Sequence, residues 1–168
     1  LAKLEVFFDY ACPFCKRGHE YLKELRPSYP ELELVWRPCE AHPRPDRYGL
    51  HSDLCIRGMF FALDRGADIW DYHERMFKAA LGGGVDIENI DALSESVRGL
   101  LDVEEFRKAL KSGEYERTLE ESNRYAYEQS GVWAVPSYRM NGRKLDSIEN
   151  IGVTKEQLKE FIDAAEKA

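Results

Sequence analysis

The stretch FFDYACPFCKRGHEYL, Phe7–Leu22, decides how this chain is read. Two cysteines, Cys12 and Cys15, enclose Pro13 and Phe14. Before them Leu4, Val6 and Phe8 alternate with Glu5, Phe7 and Asp9, the period of a β-strand with one fully apolar end. After them a helical pattern runs to about Leu25. Pro13 fits its first position, where a missing N–H costs nothing, and Pro27 and Pro30 end it. Cys12 therefore falls where a strand ends and a helix begins. Unpaired N–H groups and the positive end of the helix dipole favour an anion there. A thiolate is such an anion, so the Cys12 pKa is expected below the free value of about 8.5. Cys15, three residues on, shares the helical face, lies within disulfide reach and sits deeper. One activated thiol with a shielded one behind it suits thiol–disulfide exchange.

Working outward, the chain has 168 residues, 43% of them hydrophobic, enough for one sizeable core, so 1–168 is read as a single domain. A formal charge of −7, from 24 basic and 31 acidic residues, argues against nucleic acid or an anionic membrane as partner. No apolar run approaches the ~20 residues of a membrane span. The start, LAKLEVFF, flows straight into a strand pattern and shows no signal peptide, so a cytoplasmic place is expected; a monomer is expected as well. The first residue is not Met, which leaves a processed start and an extracytoplasmic place open. Four cysteines are too few for a disulfide scaffold in a chain this long.

Glu31–Arg37 alternates and is rich in Val, Leu and Trp, a second strand closed by Pro38. A proline-rich loop follows. From about residue 50 to 130 the texture is helical: Ser52–Arg65, Asp68–Leu81, Asn89–Leu101, Val103–Lys111 and Tyr115–Gln129, punctuated by glycines. Strand texture returns in PSYRMNGRKLDS, where Asn141-Gly142 is a strong hairpin signal. The last run, from Thr154, opens with a Thr154/Gln157 capping box and puts Leu158, Phe161, Ile162 and Ala165 on one face. A βαβ unit and a ββα unit, split by an all-helical insertion, predict an α/β fold with one mixed central sheet.

CPFC between strand and helix resembles the thioredoxin superfamily, and the long helical insertion is similar to its DsbA-like branch. GVWAVPSYRMNGRKL resembles that branch's valine–cis-proline segment and following hairpin, while FFDYACPFC and VWRPCEAHPRP look closest to its FrnE-like group. The resemblance covers nearly the whole chain. It implies a thioredoxin fold, a cis Val135–Pro136 bond packed against the cysteine pair, and substrate peptide pairing with the backbone around Val135. It further implies a protein disulfide oxidoreductase with Cys12 as nucleophile, Cys15 as resolving thiol and Pro136 shaping the site. Pro13, Phe14 and Val135 would contact substrate. No bound cofactor or metal is expected, because the cysteine pair is the redox centre. The partners implied are protein or peptide thiols and disulfides, with glutathione as a possible co-substrate.

The chain departs from DsbA at two places. Phe14 stands where DsbA has a histidine, and a phenyl ring cannot donate to a thiolate. Cys12 is therefore expected toward the upper part of the roughly 3.5–7.5 range of activated cysteines. Val6 stands where thioredoxin and DsbA carry a buried acid, and Glu5, one residue off, faces the other side of the sheet by strand parity. Asp9 lies nearer the site as a candidate proton acceptor, though a turn-forming role is the preferred reading. Two alternatives to an oxidoreductase remain open: a glutathione-dependent isomerase or transferase of the related 2-hydroxychromene-2-carboxylate isomerase and kappa glutathione transferase type, and a peptide-binding chaperone.

Other residues admit two readings each. Cys39 and Cys55 are read as unlinked structural thiols, ahead of a second redox pair or a zinc set with His42 and His51. Trp70, Tyr72, Met76 and Phe77 are read as core rather than a peptide groove. Lys16, Arg17 and His19 are read as a solvated helix face rather than thiolate or glutathione ligands.

Overall fold

A computed structural model describes residues 2–166. The end of the last predicted helix, 167–168, lies outside them. Four strands, β1 (Lys3–Phe8), β2 (Glu33–Pro38), β3 (Ser137–Met140) and β4 (Arg143–Asp146), form one mixed sheet in the order β2-β1-β3-β4. β1 pairs parallel with β2, setting Val6 opposite Trp36, and antiparallel with β3, setting Val6 opposite Tyr138. A central strand covered on both faces needs apolar side chains on both. Leu4, Val6 and Phe8 accordingly enter the main core, while Phe7 joins Cys39, Ala126 and Val132 in a smaller cluster. Glu5 is held by Arg37 and by the Tyr125 hydroxyl.

The helix α1 (Pro13–Leu25) buries Cys15, Gly18, His19, Leu22 and Leu25, a stripe at helical spacing. Asn141 and Gly142 both take positive φ, 52° and 76°, as the tight turn between β3 and β4 requires. The capping box opens α7 (Lys155–Glu166): the Thr154 Oγ1 accepts from the Gln157 N–H at 3.1 Å, and the Gln157 Oε1 accepts from the Thr154 N–H at 2.9 Å.

The insertion comprises α2 (Asp53–Asp64), α3 (Ile69–Leu81), α4 (Ile90–Glu95), α5 (Val103–Ser112) and α6 (Glu116–Arg124). Side-chain caps start three of them: Asp68 on α3, Asn89 on α4 and Asp102 on α5, each contributing about 1 kcal/mol. Two helices are shorter than the pattern predicts. The apolar spacing over Asn89–Leu101 persists, but beyond Glu95 the chain turns, with Gly99 at φ 88° delivering Asp102 to cap α5. After Arg124 the backbone widens into one π turn, Tyr125–Gln129, which closes with the Ser130 N–H on the Tyr125 carbonyl. There Ala126 is buried and the Tyr127 hydroxyl donates to the Glu40 carbonyl.

α3 brings the insertion to the sheet. Its Tyr72, Met76 and Phe77 are buried, and Phe77 meets the rings of Phe8 and Tyr10. These residues are core, each worth roughly 1.5–3 kcal/mol of burial. Trp70 is half-buried under the Arg26 guanidinium.

Candidate active site

Cys12 is the N-cap of α1, with extended backbone (φ −101°, ψ 117°) and Pro13 directly after it. Its sulfur takes the place a serine or aspartate oxygen usually fills, accepting from the Cys15 N–H at 3.3 Å. No acidic side chain competes in the first turn. The Cys12 pKa is lowered. The Cys15 thiol as donor is the largest cause; the Cys15 and Phe14 N–H groups act in the same direction, and burial opposes them. Cys15 is fully enclosed, and burial, together with the neighbouring Cys12 sulfur, pushes its pKa well above the ordinary thiol value. The two sulfurs thus differ as their positions on the helix require: Cys12 half-exposed and acidic, Cys15 buried and protonated.

Asp9 sits behind the turn. Its carboxylate accepts from the Ala11 N–H at 2.9 Å and the Ala41 N–H at 2.7 Å, tying the turn after β1 to the loop after β2. Its own N–H donates to the Cys15 sulfur at 3.5 Å, and its carbonyl accepts from the Cys12 N–H. Burial raises its pKa, the two amides opposing.

The segment before β3 crosses over the pair. The Val135–Pro136 bond is cis. The Cys12 thiol meets the Val135 carbonyl at 3.6 Å, and Pro136 is buried against Gly18 of α1. Pro13 is exposed, while Phe14 and Val135 are half-buried at the rim. The loop after β4 closes on Phe14: a side chain at Gly152 would lie 3.2 Å from the Phe14 ring.

Residues 3–163 match the sequence model of the DSBA-like thioredoxin domain. The chain belongs to that family. It is a DsbA-like thiol–disulfide oxidoreductase by family, with the thioredoxin fold. Among curated proteins it is 27% identical over 170 residues to YwbO of Bacillus subtilis, the match covering 80% of this chain and 84% of that one. A 98-residue stretch, 52% of the chain, is 33% identical to part of the Na(+)/H(+) antiporter NhaA 1 of a Mycobacterium species, covering only 16% of that protein. Among solved structures it superposes on a probable DsbA oxidoreductase of Streptomyces coelicolor with a TM-score of 0.80 at 18% identity, covering 99% of this chain and 91% of that one.

This DsbA-like chain departs from expectation on α1. Lys16 and Arg17 are exposed, as a solvated face requires, but His19 is 6% exposed. One turn beyond Cys15, it lies on the buried stripe, packed at tilted and edge-on angles among Trp70, Trp36, Phe77 and His73. The i, i+4 spacing from Cys15 to His19 is the sequence signal that would have placed it inside. His73 of α3 is also fully buried, its Nδ1 2.8 Å from the Tyr10 hydroxyl. The other two cysteines lie apart in the core: Cys39 with Phe7, Ala126 and Val132, and Cys55 on the α2 face with Met59 and Ala62. His42 pairs with Asp46 and His51 with Glu88, so these four residues do not converge.

Proposed function

We propose that this protein exchanges disulfides with protein or peptide substrates through Cys12 and Cys15. The observation that carries the reading is the asymmetry of the pair: an N-capping, acidic, accessible sulfur with a protonated, buried one three residues behind it. The Cys12 thiolate attacks a substrate disulfide. An S–S bond forms between Cys12 and one substrate sulfur while the other leaves as thiolate. Cys15 loses its proton and attacks the Cys12 sulfur, forming the Cys12–Cys15 disulfide and releasing the second substrate sulfur with the electron pair. The enzyme pair is oxidised by two electrons and the substrate disulfide reduced by two. The reverse sequence oxidises a substrate dithiol. Glutathione or a protein dithiol supplies or removes the electrons.

The surroundings support a peptide substrate. The Val135 carbonyl lies beside the attacking sulfur, and Trp133, two residues before it, is 87% exposed. An extended chain laid along this segment would find backbone partners and an apolar side chain together. Pro136 lines the small space beside Cys15 and packs near Gly18.

The test is trapping. Cys15→Ser keeps the attacking thiol and removes the resolving one, so mixed disulfides accumulate as high-mass bands that dithiothreitol collapses. Cys12→Ser traps none, because a hydroxyl without a base is a poor nucleophile. The opposite pattern, or wild-type exchange by both variants, refutes the assignment.

A further inference from the structure

The resolving step has a proton problem. Cys15 attacks only as a thiolate, yet it is buried and its thiol is held protonated. A group must take the proton where bulk water does not reach.

A small cavity lies against Cys15, lined also by His19, His73, Val6, Pro136 and Tyr138. It has room for the centre of one water molecule, about 10 Å³. Val6 offers it only methyl groups. The Asp9 carboxylate is already taken up by the amides of Ala11 and Ala41. The fully buried, unpartnered polar atoms of its lining belong to the two histidines. Nδ1 and Nε2 of His19 and Nε2 of His73 are buried and make no hydrogen bond. Buried polar nitrogens without partners are rare, because each forfeits its solvation. Both imidazoles, with three such nitrogens between them, line one water-sized space beside a thiol that must be deprotonated.

We infer that the His19–His73 pair is the proton acceptor for Cys15, reached through one buried water in this cavity. The inference rests on the exchange mechanism proposed above. The His73 Nδ1 lies 2.8 Å from the Tyr10 hydroxyl, and in the tautomer whose Nδ1–H donates to that oxygen Nε2 carries the free lone pair. As Cys15 moves onto the Cys12 sulfur, its proton passes to the water, which passes one of its own to an imidazole nitrogen. The Cys15 electron pair forms the new S–S bond, and the bond from Cys12 to the substrate sulfur breaks. When the substrate thiolate has left, the imidazolium returns the proton to solvent.

The neighbours are consistent with a base that rests neutral. Burial lowers the pKa of His73 well below the ordinary value, with His19 acting in the same direction. Burial brings His19 to about 4, with Glu74 opposing and Lys23 assisting. Cys12, Asp9 and Tyr138 face Cys15 itself. Both imidazoles are therefore unprotonated throughout the neutral range, and they accept the Cys15 proton only in step with formation of the S–S bond.

Stopped-flow reaction of the reduced full chain with 5,5′-dithiobis(2-nitrobenzoate) separates the steps. Attack by Cys12 releases a first thionitrobenzoate, and attack by Cys15 on the resulting mixed disulfide releases a second. A total of two thionitrobenzoates per chain, with the buried Cys39 and Cys55 unreactive, also shows that each variant is folded. In the wild type the second phase is expected to be flat from pH 6 to 8. In His19→Phe, His73→Gln and their combination it is expected to slow by about 10²-fold and to climb about tenfold per pH unit, as hydroxide replaces the internal base. A wild-type second phase that itself climbs tenfold per unit overturns the inference without any variant. So does an unaltered second phase in the double variant, or loss of the flat profile on Asp9→Asn with the histidines intact. Release of a single thionitrobenzoate by the wild type refutes instead the exchange mechanism beneath it.

Discussion

Cys12 and Val135 are 123 residues apart in sequence and 3.6 Å apart in space, thiol to carbonyl oxygen. The sheet makes the meeting possible. β1 ends just before the turn to Cys12, β3 begins just after Pro136, and the two strands pair antiparallel with Phe7 opposite Ser137. The attacking sulfur and the backbone beside it are thus fixed by adjacent strands rather than by a loop. The helical insertion, which lies between β2 and β3 in the chain, meets this region through α3, whose His73 and Phe77 pack against Phe8, Tyr10 and His19.

Phe14 is where a charge would act on that sulfur. The ring is half-buried, with the Arg17 guanidinium 5.6 Å from its centre. Phe14→His places an imidazole within reach of the thiolate that Phe14 now only shields. A nearby positive charge favours the charged form of Cys12, so its pKa is expected to fall by about 1 or more, and the disulfide to become more oxidising as the reduced state is stabilised. Thiolate ultraviolet absorbance against pH, together with equilibration against glutathione, measures both. An unaltered midpoint and potential would show that this position does not tune the pair.

Gly18 is required by its neighbours. A Cβ there would lie 2.6 Å from the Tyr138 hydroxyl oxygen and 3.6 Å from the Pro136 ring, and both neighbours are buried. Gly18→Ala gains about 1 kcal/mol in helix propensity but forces a shift in a packed core costing about 1–3 kcal/mol, with the larger cost expected for a ring locked in place. A net loss of about 1–2 kcal/mol in urea unfolding is expected. Adding Tyr138→Phe removes the clashing oxygen and recovers part of that loss. Failure of the second substitution to help would mean that the backbone of α1, not Tyr138, yields.

Much of this is legible in the sequence because local chemistry and tertiary demand agree. Pro13 at N1, the Asn141-Gly142 turn and the Thr154/Gln157 capping box are each set by a few neighbouring residues, and the structure shows each as read. The shortened helices were not legible, because apolar spacing persists through 96–101 and 125–129 while the backbone leaves the α conformation. The Asp9 contacts depend on Ala41, and the histidine pair on α3 crossing α1, so no local pattern announces either. His19 was misplaced because a histidine between Gly18 and Glu20, next to two exposed basic residues, looks polar until its register with Cys15 is counted.

Thiol reactivity should divide the four cysteines by burial. Cys39 and Cys55 are fully buried in separate clusters, and burial pushes the Cys39 pKa up to about 12 and that of Cys55 higher still. In the reduced native protein at neutral pH, iodoacetamide is expected to label Cys12 first, Cys15 slowly, and Cys39 and Cys55 only after denaturation. Mass spectrometry of tryptic peptides over a time course reads the order. Early labelling of Cys39 would place it near solvent, and a Cys39–Cys55 disulfide in the oxidised protein would require the two clusters to open.

The buried imidazoles also leave a mark on stability. His19 has a pKa near 4 in the folded chain against 6.5 for the exposed group, and that of His73 is lowered in the same direction. Between those values the unfolded chain binds a proton that the folded chain refuses. Stability is then fully present above about pH 6.5 and is lost as pH falls toward 4. Asp9 acts the other way in the lower part of this window. Its raised pKa means the folded chain takes up a proton before the unfolded one, which partly offsets the loss. Comparing the wild type with His19→Phe isolates one contribution, since a phenyl ring fits among Trp36, Trp70 and Phe77 and carries no charge. From pH 7 to pH 5 the wild type is expected to lose about 2 kcal/mol more than His19→Phe, at roughly 1.36 kcal/mol per pH unit below 6.5. Urea unfolding of the reduced proteins at half-unit pH intervals measures the difference. Parallel curves for the two proteins would mean that His19 titrates normally in the folded chain and reaches solvent.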